Sequence, residues 1–407
     1  MDRRNFLRLT AAGAGWIAGN PVLQPAGAVP KADDPAPVIR PEYRGPNVIL
    51  IRFGGGVRRR ETIDPEHTYS PFVGRELARR GVLFPRMEID QFHDYQTSHG
   101  EGTLYLLTGR YERFRDVAQT RADVPAKFLG ARFESKVPTL FEYLRHSYAV
   151  PEHQTLLING EDRSDEEFYN FSNHHLFGVH YRSQTLSLRR FKTWLLQEQL
   201  SRPTDRFTAA ERSKMHTDLR QLEALDYRIT RETGQGAVLD RFWADWQAHY
   251  GDSGLVNPRG DRLLTELTLR ALQSIQPKFT MINYQDCDYV HWGFMDHYTR
   301  GIAIMDAEVQ RLITAVAALP AYRDNTIFVV VPDCGRDNNP FMAVPCQHHF
   351  GTRSAHEIFA LFVGPGIPAG KRVDRVVSQV DVAATIGKLM GFATPHAEGS
   401  VLAEVFL

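Results

Sequence analysis

Acidic residues and histidines follow predicted strands in three segments of the second half of the chain. Carboxylate oxygens and imidazole nitrogens together suit a cation such as Zn²⁺ or Mn²⁺, which accepts both kinds of ligand. An early segment, Asn47–Gly56, has a strand and a glycine turn that should complete the set, but it carries no carboxylate. The sequence therefore predicts a metal site to which the early segment contributes no carboxylate ligand. The acidic, cysteine and histidine residues concerned are Asp286, Asp288, His291, Asp333, Cys334 and His356.

These residues need a sheet to bring them together, and the surrounding sequence predicts one. Short apolar runs at Asn47–Phe53, Phe279–Tyr284, Thr326–Val331 and Ile358–Val363 indicate buried strands, and Tyr298–Leu319 has apolar residues at helical spacing. Strands that alternate with helices are typical of an α/β fold with a parallel sheet. Ligands of such sheets bind beyond the carboxyl ends of the strands, so we expect the strand-end residues to converge at one edge.

The segment 160–257 has a different composition from the rest of the chain. It is rich in charged and aromatic residues, shows helical periodicity at Leu186–Leu200 and Ala209–Thr230, and has few β-type runs. We interpret it as a helical insertion over one end of the sheet, within a single domain that spans residues 47–407. Two roles remain open for it: a lid that affects substrate selection, or a structural cap.

The N-terminal residues have the pattern of a twin-arginine export signal. Arg3-Arg4 is followed by a small apolar stretch, Leu9–Ile17, and Ala26–Ala28 offers a small-residue cleavage site. The apolar stretch is far shorter than the ~20 residues that span a bilayer. We predict a signal peptide over residues 1–28, a Pro-rich linker over 29–46, export to the periplasm, and no transmembrane segment after cleavage.

Composition narrows the range of partners. Lys+Arg and Asp+Glu both number 48, so no excess of positive charge favours nucleic acid as a partner. Three cysteines are too few for a disulfide framework, although a Cys287–Cys334 pair would be chemically accessible in the periplasm. We therefore expect a small molecule rather than nucleic acid as the partner.

Four segments resemble motifs of the alkaline phosphatase superfamily, which includes sulfatases, phosphodiesterases and cofactor-independent phosphoglycerate mutases. Asn47–Ile51 is similar to the first strand, Leu107–Tyr111 to the sulfatase "LLTGRY" helix end, Phe328–Gly335 to the "VVxSDHG" turn, and Phe362–Leu402 to the sulfatase tail. The resemblance implies a three-layer α/β sandwich with a central, mostly parallel sheet. It also implies hydrolysis of a small anionic ester, either a phosphate or a sulfate.

Members of this superfamily usually bind two divalent ions that flank the phosphate or sulfate group. The positions that hold the first ion, an Asp, a nearby His and a distant His, fall on Asp288, His291 and His356. Asp288 precedes His291 by three residues where four is usual, so Asp286 is a second candidate. Two further histidines that could replace His356 are His348 and His349.

The positions for the second ion match less well. The first-strand carboxylate falls on Gly54, the Asp-His pair falls on Asp333-Cys334, and the hydroxyl nucleophile falls on His99. Cys334 as a thiolate and His99 are both acceptable zinc ligands. Zinc is the expected metal, with manganese or calcium compatible, as one ion or two.

Three interpretations follow for the activity. In the first, the protein is a metal-dependent hydrolase in which Ser98 or Thr97, next to His99, attacks phosphorus or sulfur. In the second, hydrolysis is lost and the glycine turn at Gly54 cradles an anion in a periplasmic binding protein. In the third, His99 itself accepts the phosphoryl group.

Overall fold

The computed structural model describes residues 40–90, 93, 97–112, 135–160, 166–203, 206–224, 236–257, 259–292, 295–337, 346–348 and 351–407. The predicted signal peptide, most of the predicted linker and His349 lie outside these residues. So does the end of the predicted helix Ala209–Thr230, which is described as far as Ala224. No helix in the described part of the chain is long and apolar enough to cross a membrane.

A nine-stranded, mostly parallel sheet forms the centre of the described chain, which confirms the predicted fold class. The strand order is β4-β3-β5-β1-β6-β7-β2-β8, and β9 pairs with β2. Only β7 runs antiparallel to its neighbours β6 and β2 among the described strands. The strands are β1 Asn47–Arg52, β2 Gly81–Glu88, β3 Thr155–Ile158, β4 Gln184–Leu186, β5 Phe279–Asn283, β6 Thr326–Val331, β7 Glu357–Val363, β8 Lys371–Arg372 and β9 Val377–Ser378.

Helices cover both faces of the sheet. Side chains of β1 alternate between two apolar cores: Ile49 and Ile51 face one, and Val48 and Leu50 face the other. Every residue of β1 is buried, as expected for a central parallel strand. The α-helices are α1 Arg59–Thr62, α2 His99–Thr108, α3 Leu140–Ser147, α4 Leu188–Ser201, α5 Ala209–Ala224, α6 Gly236–Tyr250, α7 Asp261–Ser274, α8 Met295–Ala318, α9 Arg353–His356 and α10 Asp381–Met390.

The segment 160–257 contributes to the sheet as well as to its cover. It contains α4, α5 and α6, but it also supplies β4, which pairs in parallel with β3 at the edge of the sheet. Glu166, near the start of this segment, reaches the buried side chain of Arg52 at the end of β1. The segment is therefore tied into the centre of the fold, and its role as a lid or a cap stays a prediction.

Strand register brings the predicted site residues to one level. Arg52 at the end of β1 is paired with Asn283 of β5 on one side and with Val331 of β6 on the other. The turns that follow these three strands consequently start at the same edge of the sheet, because parallel neighbours end together. Ligands of such sheets bind at this edge.

Candidate metal centre

Four side chains from three separate segments converge at this edge. They are Asp288 and His291 in the 3₁₀ turn Asp286–Trp292 after β5, His99 at the start of α2, and His348. One potential ligand atom of each lies within 4.8 Å of the others. His99 and His348 are buried, and the other two are partly buried. Three imidazoles and one carboxylate therefore face a common centre.

Local packing explains why His99 reaches the sheet edge. A Cβ on Gly102, one turn into α2, would lie 2.3 Å from the carbonyl oxygen of Asp333, so only glycine allows the helix to approach this closely. The turn after β5 is held by Asp261, whose carboxylate accepts N–H bonds from Gln285 at 2.8 Å and Asp286 at 2.9 Å. The close approach at Gly102 and the hydrogen bonds of Asp261 fix the positions of the segments that carry His99, Asp288 and His291.

The distances within this cluster suit a tetrahedral ion. His99 Nε2 and His291 Nε2 lie 3.0 and 2.9 Å from Asp288 Oδ1, and His348 Nε2 lies 3.8 Å from the same oxygen. The Nε2 atoms of His291 and His348 are 3.0 Å apart. Ligands about 2.1 Å from a tetrahedral zinc ion are separated by about 3.4 Å, which falls within this range.

Hydrogen bonds on the far side of two imidazoles prepare them as ligands. His348 Nδ1 lies 2.7 Å from the carbonyl oxygen of Thr97, and His99 Nδ1 lies 2.7 Å from Asp333 Oδ2. A proton on each Nδ1 satisfies these acceptors and leaves the Nε2 lone pair directed at the common centre. The residues present therefore fit a single divalent ion.

Two residues predicted as ligands from the sequence, Asp286 and His356, lie outside the cluster. His348 occupies the position that the sequence motifs assign to His356. His348, rather than His356, joins Asp288 and His291 in the cluster, and His356 Nδ1 lies 2.9 Å from the carbonyl oxygen of Thr352. Asp286 accepts the backbone N–H of Asp261 at 3.2 Å and belongs to neither ligand group among the described residues. The three-residue spacing is thus accommodated by a 3₁₀ turn, which places Asp288 and His291 on one side.

The second predicted ion position has a different character. Asp333 is completely buried, and its carboxylate accepts N–H bonds from Gly56 at 3.1 Å, Gly55 at 3.3 Å and Cys334 at 2.8 Å. Burial raises the pKa of Asp333, but His99, Arg52 and the Cys334 N–H outweigh that effect and hold it well below its ordinary value. Asp333 is therefore a fully engaged carboxylate.

Cys334 lies beside this carboxylate as a buried thiol. Burial first, and then the charge of Asp333, raise the pKa of Cys334 well above its ordinary value of 9.0. Its Sγ lies 3.9 Å from His99 Nδ1, so Asp333, Cys334 and His99 also form a close group. All three cysteines of the chain are free thiols, and the Cys287–Cys334 disulfide considered from the sequence is not formed.

The glycine turn explains the lost carboxylate. A Cβ on Gly54 would lie 2.3 Å from the carbonyl oxygen of Tyr284, and one on Gly55 would lie 2.8 Å from the backbone nitrogen of Asp288. Gly55 and Gly56 also have positive φ values of 85° and 71°. No side chain fits at Gly54 or Gly55 in this conformation, so the turn offers N–H groups instead of ligands.

Two buried arginines that the motif comparison did not single out occupy this region. Arg52 Nη1 lies 2.5 Å from both Glu166 Oε2 and Thr103 Oγ1, and its Nε lies 3.9 Å from Asp333 Oδ2. Arg336 Nη2 donates to Asp288 Oδ1 at 2.6 Å. The side chains of Arg52 and Arg336 have no exposed surface. The sequence offered two signals for these arginines. One is a charged residue inside the apolar run of β1, and the other is a charged residue three positions after Asp333.

The three candidate nucleophile positions have separate surroundings. Ser98 caps α2: its hydroxyl lies 3.0 Å from Glu101 Oε2 and accepts the Glu101 N–H at 3.3 Å. The hydroxyl of Thr97 is buried and donates to the carbonyl oxygen of His348. His99 faces carboxylates with both ring nitrogens. Ser98 is thus the hydroxyl with a carboxylate as its hydrogen-bond acceptor.

Comparisons with known proteins identify the fold. No family model and no curated protein matches the chain. A solved structure of a protein in the alkaline phosphatase superfamily from Vibrio parahaemolyticus is 14% identical and covers 89% of this chain and 70% of that chain, with a TM-score of 0.52. A 2-O GAG sulfatase is 14% identical over 89% of this chain and 74% of its own, with a TM-score of 0.51.

A third solved structure, the phosphonate monoester hydrolase of Agrobacterium radiobacter, is 15% identical and covers 88% of this chain and 77% of that chain, with a TM-score of 0.51. At these identities the similarity concerns the fold. It confirms that the chain has the alkaline phosphatase-like architecture that the sequence motifs predict, as a divergent example.

Proposed function

We propose that this protein is a metal-dependent hydrolase of phosphate or sulfate esters. The observation that carries the proposal is the cluster of His99, Asp288, His291 and His348 at the carboxyl edge of an alkaline phosphatase-like sheet. The solved structures with this fold include a sulfatase and a phosphonate monoester hydrolase, which supports the same class of reaction. The substrate is a small anionic ester.

Zinc is the metal that this donor set favours. Three imidazoles and one carboxylate match the nitrogen and oxygen ligands of tetrahedral zinc sites. Calcium prefers six to eight oxygen ligands, so a cluster with one carboxylate and three imidazoles suits it poorly. When bound, the ion would polarise an ester oxygen as a Lewis acid and neutralise charge on the group that is transferred.

Ser98 is the proposed nucleophile, and Glu101 is the proposed base. The Ser98 hydroxyl proton passes to Glu101 Oε2 as Oγ attacks phosphorus or sulfur, the bond to the ester oxygen breaks, and the departing oxygen takes a proton from Glu101 or solvent and leaves as the alcohol. Water then attacks phosphorus or sulfur, the bond to Ser98 Oγ breaks, and the proton released by water returns to Oγ as phosphate or sulfate leaves. The position of Ser98 at the start of α2 adds the positive end of a ten-residue helix, which favours an anion.

Export to the periplasm by the twin-arginine route is part of the proposal and depends on the N-terminal sequence pattern. That pattern lies outside the described residues, so its support is the Arg3-Arg4 pair with the apolar stretch Leu9–Ile17. Export of a fusion that contains residues 1–28, compared with the same fusion carrying Arg3→Lys and Arg4→Lys, tests it. Equal export of both fusions would contradict the proposal.

A second candidate function, a binding protein without hydrolytic activity, is favoured by one feature. The region that would hold a second ion contains Arg52, Arg336 and the glycine turn, and the carboxylate of Asp333 is already engaged. Under this alternative the cluster binds an anionic ligand and does not turn it over. A direct assay separates the two functions.

The test combines metal analysis with turnover. Purified protein is analysed for bound zinc, manganese and calcium, and then assayed with aryl phosphate, aryl phosphate diester, aryl phosphonate and aryl sulfate substrates. Ser98→Ala should abolish turnover while bound metal is retained, and Thr108→Val is the matched control because its hydroxyl lies in the helix that Ser98 caps and donates to the carbonyl oxygen of Leu104. Bound metal without turnover on any ester would support the binding protein instead.

A further inference from the structure

Asp333 is the acidic residue that the sequence places in a second metal site, but its surroundings give it another task. We propose that Asp333 is the positioning residue for His99, and that the protein holds one ion rather than two. The proposal rests on the metal cluster of the proposed function and defines its stoichiometry. It also assigns a role to the part of the framework in which the usual ligands have been replaced.

His99 connects the two carboxylates. Its Nδ1 lies 2.7 Å from Asp333 Oδ2, and its Nε2 lies 3.0 Å from Asp288 Oδ1 inside the cluster. A carboxylate that accepts the far N–H of a metal-binding histidine fixes the tautomer, orients the ring and raises its basicity as a ligand. Asp333 has this relationship to His99, because Nδ1–H donates to it while Nε2 faces the ion position.

The remaining lone pairs of Asp333 are already used. Oδ1 accepts the N–H groups of Gly56 at 3.1 Å and Cys334 at 2.8 Å, and Oδ2 accepts the N–H of Gly55 at 3.3 Å in addition to the imidazole. A second ion would have to displace these donors, and they belong to a backbone turn that cannot rotate away. Asp333 is therefore committed to hydrogen bonds.

A permanent positive charge stands beside the same carboxylate. Arg52 Nε lies 3.9 Å from Asp333 Oδ2, and its side chain is completely buried. A guanidinium cannot lose its proton in a protein, so it is a fixed positive charge next to this carboxylate. Arg52, which also pairs with Glu166 at 2.5 Å, supplies part of the countercharge for Asp333 without an ion.

The glycine turn prevents a carboxylate ligand from completing the second site. Added Cβ atoms would lie 2.3 Å from the carbonyl oxygen of Tyr284 at Gly54, 2.8 Å from the backbone nitrogen of Asp288 at Gly55, and 2.9 Å from the carbonyl oxygen of Gly335 at Gly56. These contacts are with backbone, which cannot yield as a flexible side chain can. The residues at the second ion position therefore hold Asp333 and His99 in place and do not bind an ion of their own.

The experiment measures how many ions bind and how tightly. Zinc content is determined for the full chain, and zinc affinity is measured by competition with a chromophoric chelator. We expect one equivalent in the wild type and in Asp333→Asn, with the Kd of the variant raised about 10–100-fold, the usual effect of removing an outer carboxylate. The absorption spectrum of the cobalt-substituted protein should change in Asp333→Asn, because the orientation of a ligand has changed.

Two further variants separate this role from a general effect on folding. Asp306→Asn is the matched control, because Asp306, in α8, is also a buried carboxylate that accepts backbone N–H bonds, from Phe72 and Val73, and it belongs to neither ligand group. Its zinc Kd should equal that of the wild type. Cys334→Ser, which keeps the size of the side chain, should also leave the Kd unchanged if Cys334 is not a ligand.

The number of bound ions and the zinc Kd values decide between the possible roles of Asp333. Two equivalents in the wild type, a tenfold loss of affinity in Cys334→Ser, or an unchanged Kd in Asp333→Asn would overturn the positioning role. If Asp333→Asn does not fold, the wild-type count and the Cys334→Ser affinity still decide. One equivalent without ester hydrolysis would leave this inference standing and overturn the proposed function, whereas an absence of metal would overturn both.

Discussion

The two halves of the candidate site differ in what surrounds their carboxylates. Around Asp288, Arg336 donates to Oδ1 at 2.6 Å, and three imidazoles converge with their lone pairs directed at one point. Around Asp333, backbone N–H groups, His99 and the guanidinium of Arg52 satisfy the negative charge without an ion. Fixed donors and a buried guanidinium can thus satisfy a buried carboxylate at a position where the sequence motifs suggest a metal ligand.

Substitution of Arg336, which pairs with Asp288, should have the largest effect on stability. Arg336 is fully buried and paired with Asp288 at 2.6 Å, and it donates to the carbonyl oxygens of Gly56 and Cys346, each at 2.6 Å. We expect Arg336→Met to lower the free energy of unfolding by about 3 kcal/mol, because the partly buried carboxylate of Asp288 and two backbone carbonyls lose a fully buried partner. The measurement is urea denaturation in the presence of a chelator.

The control for this variant is an exposed ion pair of similar length. Arg353→Met removes a contact of 3.0 Å with Glu357 from a side chain that is 73% exposed. Its effect should stay below about 1 kcal/mol. Equal effects of Arg353→Met and Arg336→Met would show that the buried pair has no special part in the site.

His291→Ala tests the half that keeps its ligands. Loss of one of four ligands should reduce bound zinc below detection, and ester hydrolysis should fall by more than about 100-fold, the upper limit for loss of a merely supporting residue. Metal analysis and initial rates on the most active ester measure both quantities. His356→Ala is the informative companion, because His356 is not in the cluster. A larger loss of zinc in His356→Ala would return it to the ligand position that sequence motifs suggest.

Gly55→Ala tests the rigidity of the altered half. The substitution imposes a side chain on a residue with a φ of 85° and places a Cβ 2.8 Å from backbone. We expect a loss of about 2–3 kcal/mol in the free energy of unfolding, the sum of the backbone strain and the collision. Gly366→Ala has a similar φ of 77° but open space around the Cβ, and it should cost only about 1 kcal/mol. Similar losses in both variants would contradict a crowded turn.

The smallest expected effect concerns pH and a second buried carboxylate. Burial raises the pKa of Glu142 above its ordinary value of 4.5, against opposing hydrogen bonds from Thr139 and Ser172. Because its folded-state pKa is raised, its protonated form stabilises the fold below about pH 4.5, and this contribution is lost as the pH rises through the folded-state pKa. Relative to the wild type, Glu142→Gln should therefore gain stability as the pH is raised from 4 to 7, measured by urea denaturation at each pH.

Asp333 should show the opposite sign, since its folded-state pKa is lowered. Its contribution is present above the ordinary value of 3.8 and is lost as the pH falls below it. Chelator-treated Asp333→Asn should therefore approach the wild type in stability as the pH is lowered from 5 to 3. Parallel pH profiles for the Glu142 and Asp333 variants would show that the nearby cations do not distinguish the two carboxylates.

The sequence predicted much of the fold because strand burial and helix periodicity are local patterns. Thr326–Val331 is observed with the expected bounds, and Asn47–Phe53 and Phe279–Tyr284 differ from the observed strands by one residue. The edge strand Gln184–Leu186 was not expected, because three residues give too short a pattern to distinguish from a loop. Motif spacing located Asp288 and His291 for the same local reason.

Long-range contacts decided what the motifs could not. His348 and His356 are both histidines near a strand, and their sequence positions do not reveal which imidazole faces Asp288. Arg52 and Arg336 belong to different strand ends, so their approach to Asp333 and Asp288 depends on how the strands pair. The sequence by itself determined an α/β sheet with acidic and histidine residues at its carboxyl edge, since residue types and spacing follow the chain. The tertiary structure alone decided which residues share a ligand position and which carboxylate is already neutralised, because burial and charge balance depend on neighbours far apart in sequence.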